Sequence, residues 1–359
     1  MTAIKTGQLR PNIPHSRPTL GPEEARRVAE VIRSGHLAPG DQLQSFEQTF
    51  AENVGKGSAA GVSSGTAALH LVLIAMGVGP ADEVIIPSYV CTALLNAVRY
   101  VGARPVLSDI DPETHNMDPD DAKKRITRHT RAMIVPHMFG LPADMERLKG
   151  LNVPIIEDCA QAVGSSYAGK SVGTFGQAAI FSFYATKVIT TGEGGMVVSG
   201  SKKIIERIKD LRDYDEKRDY KIRYNYKMTD IAAALGSVQL KKLETFIRNR
   251  RRIARHYDDF LKDLNLKLPP ADPGRIYFRY VVGLDADSTT LIQQLQKKGI
   301  MCAKPVNKPL HQYLKQKGFT KTDTVWRNSV SLPIYPGLTR GDADRVLTAF
   351  TKCLRGAGR

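Results

Sequence analysis

Between Ala59 and Val198 the chain alternates short apolar runs with amphipathic stretches of helix length. The runs lie at 84–86, 106–107, 132–135, 154–156, 178–181 and 196–198. Runs of this kind predict buried strands of a mainly parallel sheet covered by helices, an α/β domain. In that architecture ligands gather at the strand ends. Ahead of the sheet, Gly35 and Gly40 punctuate a helical segment that continues through 44–50. After Thr229 the apolar positions Ile231, Ala234, Leu235, Val238, Leu243, Phe246 and Ile247 keep helical spacing, which predicts one long helix leading out of a large lobe. The remainder predicts a smaller C-terminal α+β lobe, with a strand at 278–282, a helix near 290–298, a short run at 301–303 and a closing helix around 342–353. The division is placed near residue 248, giving a large domain 1–248 with its N-terminal segment and a small domain 249–359.

At 359 residues the chain exceeds what one hydrophobic core usually holds, in keeping with two lobes. No apolar stretch is long enough to cross a bilayer, and residues 1–5 lack the charged and apolar sections of a secretory signal, so a cytoplasmic protein without membrane partners is expected. Cys91, Cys159, Cys302 and Cys353 show no CxxC or Cys/His spacing, which indicates neither a metal site nor a disulfide framework. A net charge of +16 favours anionic partners. Nucleic acid is not expected among them, because no DNA- or RNA-binding motif accompanies the charge. The densest cluster, Arg248-Asn249-Arg250-Arg251-Arg252, reads as a solvated helix face.

Three segments carry candidate chemistry. Val62-Ser63-Ser64-Gly65-Thr66 passes from an apolar strand into a helix, whose unpaired first-turn amides suit a phosphate; Gly65 lets the main chain approach and Thr66 adds a hydroxyl. Alone, the segment reads equally well as an ordinary helix cap. Asp158 ends a strand and Gln161 follows three residues later, a spacing that shares one face if helical, with small Ala160 between them. Lys187 lies in a mostly uncharged stretch, with Ser182 before it and a Gly192-Glu193-Gly194-Gly195 turn after it. A strand-terminal acid and a lysine past the next strand are what pyridoxal 5'-phosphate (PLP) needs. The amine forms an imine with the aldehyde, and the carboxylate keeps the pyridine nitrogen protonated.

Over nearly its whole length the chain resembles the DegT family of PLP-dependent sugar aminotransferases of fold type I. The most specific portions are Ser64-Gly65-Thr66-Ala67-Ala68-Leu69, Asp82 through Ser88, Glu157-Asp158 with Ala160-Gln161, the Lys187 segment, and Asn225-Tyr226-Lys227-Met228-Thr229-Asp230. The resemblance implies that Lys187 holds the cofactor and shuttles protons, that Asp158 meets the ring nitrogen and Gln161 the ring oxygen, and that Gly65, Thr66 and Ser182 bind the phosphate. It also implies that Asn225 reaches the phosphate of a neighbouring subunit, and hence a homodimer with shared active sites.

Two positions depart from the family pattern. Cys91 stands where an aromatic residue usually stacks on the cofactor ring, so stacking is weaker or comes from Tyr89; Lys227 stands where arginine is common. Some relatives replace the lysine by histidine and become dehydratases, whereas Lys187 is retained. The function implied is transfer of an amino group from an amino acid, expected to be L-glutamate, to a keto group of a nucleotide-diphosphate sugar. A PLP-dependent sugar dehydratase or lyase, an aminocyclitol aminotransferase and a non-enzymatic regulator are the alternatives. His137 and His311 are expected to be packed or capping residues, and Glu193 to fix its glycine turn.

Overall fold

The computed structural model describes residues 12–357; residues 1–5, read above for a secretory signal, lie outside them. Eleven strands follow in chain order: β1 (Ser58–Val62), β2 (Glu83–Pro87), β3 (Arg104–Ser108), β4 (Thr130–Pro136), β5 (Ile155–Asp158), β6 (Ser166–Tyr167), β7 (Lys170–Ser171), β8 (Ala178–Ser182), β9 (Gly195–Ser199), β10 (Tyr280–Gly283) and β11 (Ser329–Leu332). Seven of them form one sheet in the order β1-β9-β8-β5-β4-β2-β3. β3, β2, β4, β5 and β8 pair in parallel; β9 runs antiparallel to both β8 and β1. β2, β5 and β9 are buried at every position, because helices cover both faces of the sheet. This is the expected α/β fold, with each apolar run of the sequence falling on a strand.

The glycine punctuation also falls as expected. Gly35 ends the helix Pro22–Ser34 in the left-handed conformation (φ 74°), and Gly40 precedes the helix Asp41–Val54. The helix predicted to run unbroken after Thr229 is two helices, Asp230–Lys241 and Leu243–Leu261, meeting at Lys242. Apolar spacing survives the break because both pieces bury one stripe.

Along the second helix the packing partner changes. Leu243, Phe246 and Ile247 join the core under the sheet, while Ile253, Tyr257 and Leu261 join a separate core with Tyr280, Leu332 and Phe350. We propose that the two domains divide inside this helix, near residue 248. The C-terminal unit holds the antiparallel pair β10 and β11 with the helices Thr289–Lys297 and Arg340–Ala357. The run at 301–303 makes only an isolated bridge, Ala303 to Ser331, rather than a strand. Among the described residues, no helix is long and apolar enough to cross a membrane.

The basic cluster is not a wholly solvated face. Arg250 is buried, and its Nη1 donates to the carbonyls of Tyr277, Phe278 and Ile334. Arg251 donates to the carbonyls of Arg275 and Pro273. Neighbouring arginines on one helix face two environments, and a run of arginines cannot reveal which member turns inward.

Candidate active site

β5 ends in two buried carboxylates that face opposite sides of the sheet. Glu157 accepts hydrogen bonds from the backbone N–H groups of Phe175, Gly176 and Gly173, each at 2.7 Å, and its Oε2 lies 3.2 Å from His137 Nε2. His137 Nδ1 accepts from Ala143 N, which makes Nε2 the N–H that donates to Glu157. Burial opposes the Glu157 charge, yet His137 and the backbone donors prevail and hold its pKa below the usual range. His137, Glu157 and Cys159 bring three ligand-type atoms within 4.8 Å of one another, but the imidazole and carboxylate are already committed to these bonds. His137 is therefore a packed, positioning residue, as expected.

Asp158 faces the other way. Its Oδ1 accepts from Ala160 N at 2.9 Å. Burial pushes its pKa up, opposed by that hydrogen bond and by the charge of Lys187. Lys187 sits in the connection from β8 to β9, where Lys187 N donates to Tyr184 O and Thr191 N to Phe183 O. Gly192 (φ 82°) then lets the chain reverse. Burial pulls the Lys187 pKa down, against the influence of Cys91 and Asp158. Asp158, Cys91 and Lys187 thus lie within electrostatic reach of one another. Lys187 Nζ also approaches the Phe278 ring, 5.2 Å from its centroid.

Asp158 and Gln161 do not share a helix face. β5 stays paired through Cys159 N to Ile180 O, and residues 160–164 form turns closed by Ala162 N to Cys159 O. Gln161 Oε1 accepts from Phe139 N at 3.0 Å, which supports Phe139 in a left-handed conformation (φ 57°). Its amide N–H groups remain the donors suited to a ring oxygen.

At the other end of the site, Ser64 caps the helix Gly65–Ala75, its Oγ accepting from Ala67 N. A Cβ at Gly65 would stand 2.9 Å from Ser182 Cβ, so the helix N-terminus and the end of β8 are in contact. Gly195 of β9 lies directly beneath, where a Cβ would come within 2.5 Å of Ser64 backbone. Gly65 and Ser182 therefore meet at the helix N-terminus, where Thr66 follows in the first turn and the leading amides lack intrahelical partners.

Cys91 caps the helix Thr92–Tyr100 and is exposed. Tyr89, the other candidate for stacking, is fully buried against His115 and Phe139 and has no open face. Asn225 is exposed, next to Tyr226, whose carbonyl accepts from Ser63 N beside the phosphate-type turn. Lys227 Nζ is held by Asp213 and Asp215 at 2.8 and 2.6 Å, which raise its pKa. His311 is buried between Ser88 and Asp323, a packing role. Glu193 is exposed, and its turn is tied by Thr191 Oγ1 donating to the Glu193 backbone carbonyl. Phe278, Arg279 and His15 were not among the expected site residues. The one signal was an arginine inside an otherwise apolar strand run.

A family model for the DegT/DnrJ/EryC1/StrS aminotransferases matches residues 18–351. The chain belongs to this family. As a DegT-family aminotransferase it is an enzyme, a transaminase of fold type I, and its cofactor is PLP. A GDP-perosamine synthase of Escherichia coli O157:H7 is 37% identical over 347 residues, covering 91% of this chain and 94% of the relative. The aminotransferase TlmJ from Streptoalloteichus hindustanus has the same fold, with a TM-score of 0.92 at 32% identity over 97% of this chain and all of the other. A Streptococcus pneumoniae protein described as a sugar aminotransferase, solved in PLP and PMP forms, gives a TM-score of 0.90 at 27% identity; in the PMP form the match covers 97% of this chain and 100% of that one.

The residues of this DegT-family site fit PLP. A half-buried lysine lies within electrostatic reach of a buried carboxylate, and a glycine-walled helix N-terminus lies at the far end.

Proposed function

We propose that this transaminase moves an amino group from L-glutamate to the keto group of a nucleotide-diphosphate sugar, and that it works in the cytoplasm as a homodimer with shared active sites. The observation that carries the reading is Lys187, desolvated and opposite Asp158, in a chain 37% identical to a synthase of a GDP-linked amino sugar. A basic surface, net +16, helps collect a substrate with two phosphates.

Each residue then has one task. Gly65, Thr66 and Ser182 bind the cofactor phosphate, with Asn225 of a second copy completing the grip. Asp158 keeps the ring nitrogen protonated, Gln161 donates to the ring oxygen, Ala160 leaves room for the ring and Cys91 lies along it. When bound, PLP supplies an electron sink for the carbon that loses its proton. Lys187 takes that proton and returns it, and its lowered pKa favours the neutral amine the task requires. Exposed Tyr220, Ile222 and Tyr214, in the chain leading to Asn225, give a second copy an apolar surface to cover.

The test is to incubate the PLP enzyme with L-glutamate and measure 2-oxoglutarate, then offer the aminated enzyme a panel of keto-sugar nucleotides, GDP-linked ones first. Stoichiometric 2-oxoglutarate followed by a new amino sugar is expected. A keto acid released with no sugar aminated defeats the acceptor assignment, and loss of water from the sugar without amine incorporation points to the dehydratase.

A further inference from the structure

Among the described residues, Arg279 stands beside the reactive amine with no carboxylate partner. Its guanidinium carbon lies 4.8 Å from the centroid of the Phe278 ring, the same ring that Lys187 Nζ approaches. The side chain is half-buried, and burial draws its pKa down to about 10 with no acid countering it. Three other partly or wholly covered arginines have partners for their charge. Arg212 pairs with Glu47, Arg223 with Asp210 and Asp219, and Arg250 spends its charge on three carbonyls.

Arg279 has instead a neutral partner. Its Nη1 is 3.1 Å from His15 Nδ1, and His15 Nε2 is 2.8 Å from Ser331 Oγ. Burial, with Arg279 adding to it, lowers the His15 pKa to about 3, so the ring is uncharged and Nδ1 accepts. His15 orients the guanidinium without neutralising it. Next to His15, Ser16 Oγ donates to Thr186 O, so the N-terminal segment, the Lys187 turn and the start of β10 meet in one wall of the site.

A desolvated guanidinium lacking an acid is costly, and the cost is relieved when an anion arrives. Its planar fork matches a carboxylate with two parallel bonds. We infer that Arg279 reads the α-carboxylate of the amino-acid donor, with His15 as its positioning residue. That carboxylate is bonded to the carbon whose proton Lys187 takes, so the group that reads it has to stand next to Lys187. The assignment rests on the proposed use of an amino-acid donor and is independent of which sugar accepts the amine.

The experiment separates the two half-reactions of the holoenzyme. Arg279→Gln is expected to weaken the donor half by about 10- to 100-fold, read as the L-glutamate concentration giving half-maximal rate. Arg279→Lys recovers part of the loss, and transfer from the aminated enzyme to the keto sugar stays near wild type. A readout without turnover is titration with α-methyl-L-glutamate, which has no α-proton to lose, followed by the absorbance of the bound cofactor. Its Kd should rise by the same factor in Arg279→Gln and by less in His15→Gln. Equal losses in both halves, a loss in the sugar half alone, or an unchanged Kd overturns the assignment. Wild-type enzyme that binds α-methyl-L-glutamate yet aminates no sugar defeats the proposed acceptor and leaves the role of Arg279 standing.

Discussion

Lys187 and Asp158 shape each other's titration, and the sign of the coupling can be tested. Burial lowers the lysine pKa and the aspartate charge raises it, so Asp158→Asn should lower it further. The pH midpoint for covalent capture of PLP by the apoenzyme is then expected to move down, while transamination falls on the order of 100-fold because the ring nitrogen loses its counter-charge. Lys187→Ala should abolish both, as followed by cofactor absorbance and 2-oxoglutarate release. Glu157 behaves oppositely. Its folded pKa lies below the ordinary 4.5, so the stability it contributes is present above that pH and is lost as pH falls through the folded value. Glu157→Gln should destabilise the protein by about 3 kcal/mol at pH 7, with the gap closing in acid, as measured by urea unfolding. Asp158 was marked out by ending a strand run, and Gly65 and Lys187 by following shortly after one, a local signal. Arg279 and His15 were not, since their contact spans 264 positions and no periodicity reports which distant segments meet.

Among elements, one close joint near the site lies between the helix Gly65–Ala75 and the strand β9 beneath its first turn. At Gly195 a Cβ would meet Ser64 backbone at 2.5 Å, and backbone cannot swing aside as a side chain can. Gly195→Ala is expected to lower the melting temperature and loosen cofactor retention together. Gly65→Ala, which meets the Ser182 side chain at 2.9 Å, should loosen retention with a smaller change in melting, as judged by dialysis and calorimetry. Sequence periodicity marked the strands of the large sheet because both faces are buried and the runs are continuous. It missed the break at Lys242, where two helices keep one apolar stripe, and the turn after Asp158, where sheet pairing through Cys159 overrides a helical spacing. It also passed over β11, whose Ser329 and Ser331 alternate with Val330 and Leu332 in a run too short to stand out.

For the whole molecule, the exposed loop ahead of Asn225 makes oligomeric state a direct test of shared active sites. Tyr220 is 97% and Ile222 70% exposed, so a double substitution to aspartate should leave the monomer fold intact. Light scattering on the eluting protein is expected to show a dimer for wild type and a monomer for the variant, with activity lost alongside. A variant that stays dimeric and active removes this surface from the shared site. The wall built from Ser16, Thr186, Arg279 and Ser331 has a consequence for biosynthesis, because it joins the first described stretch of chain to one near the end. A ribosome has to deliver almost the whole polypeptide before His15 finds its serine, and contacts of such long sequence separation form late. Nascent chains arrested short of β11 should take up the coenzyme loosely and release it on washing, so that firm yellow colour marks a finished translation product.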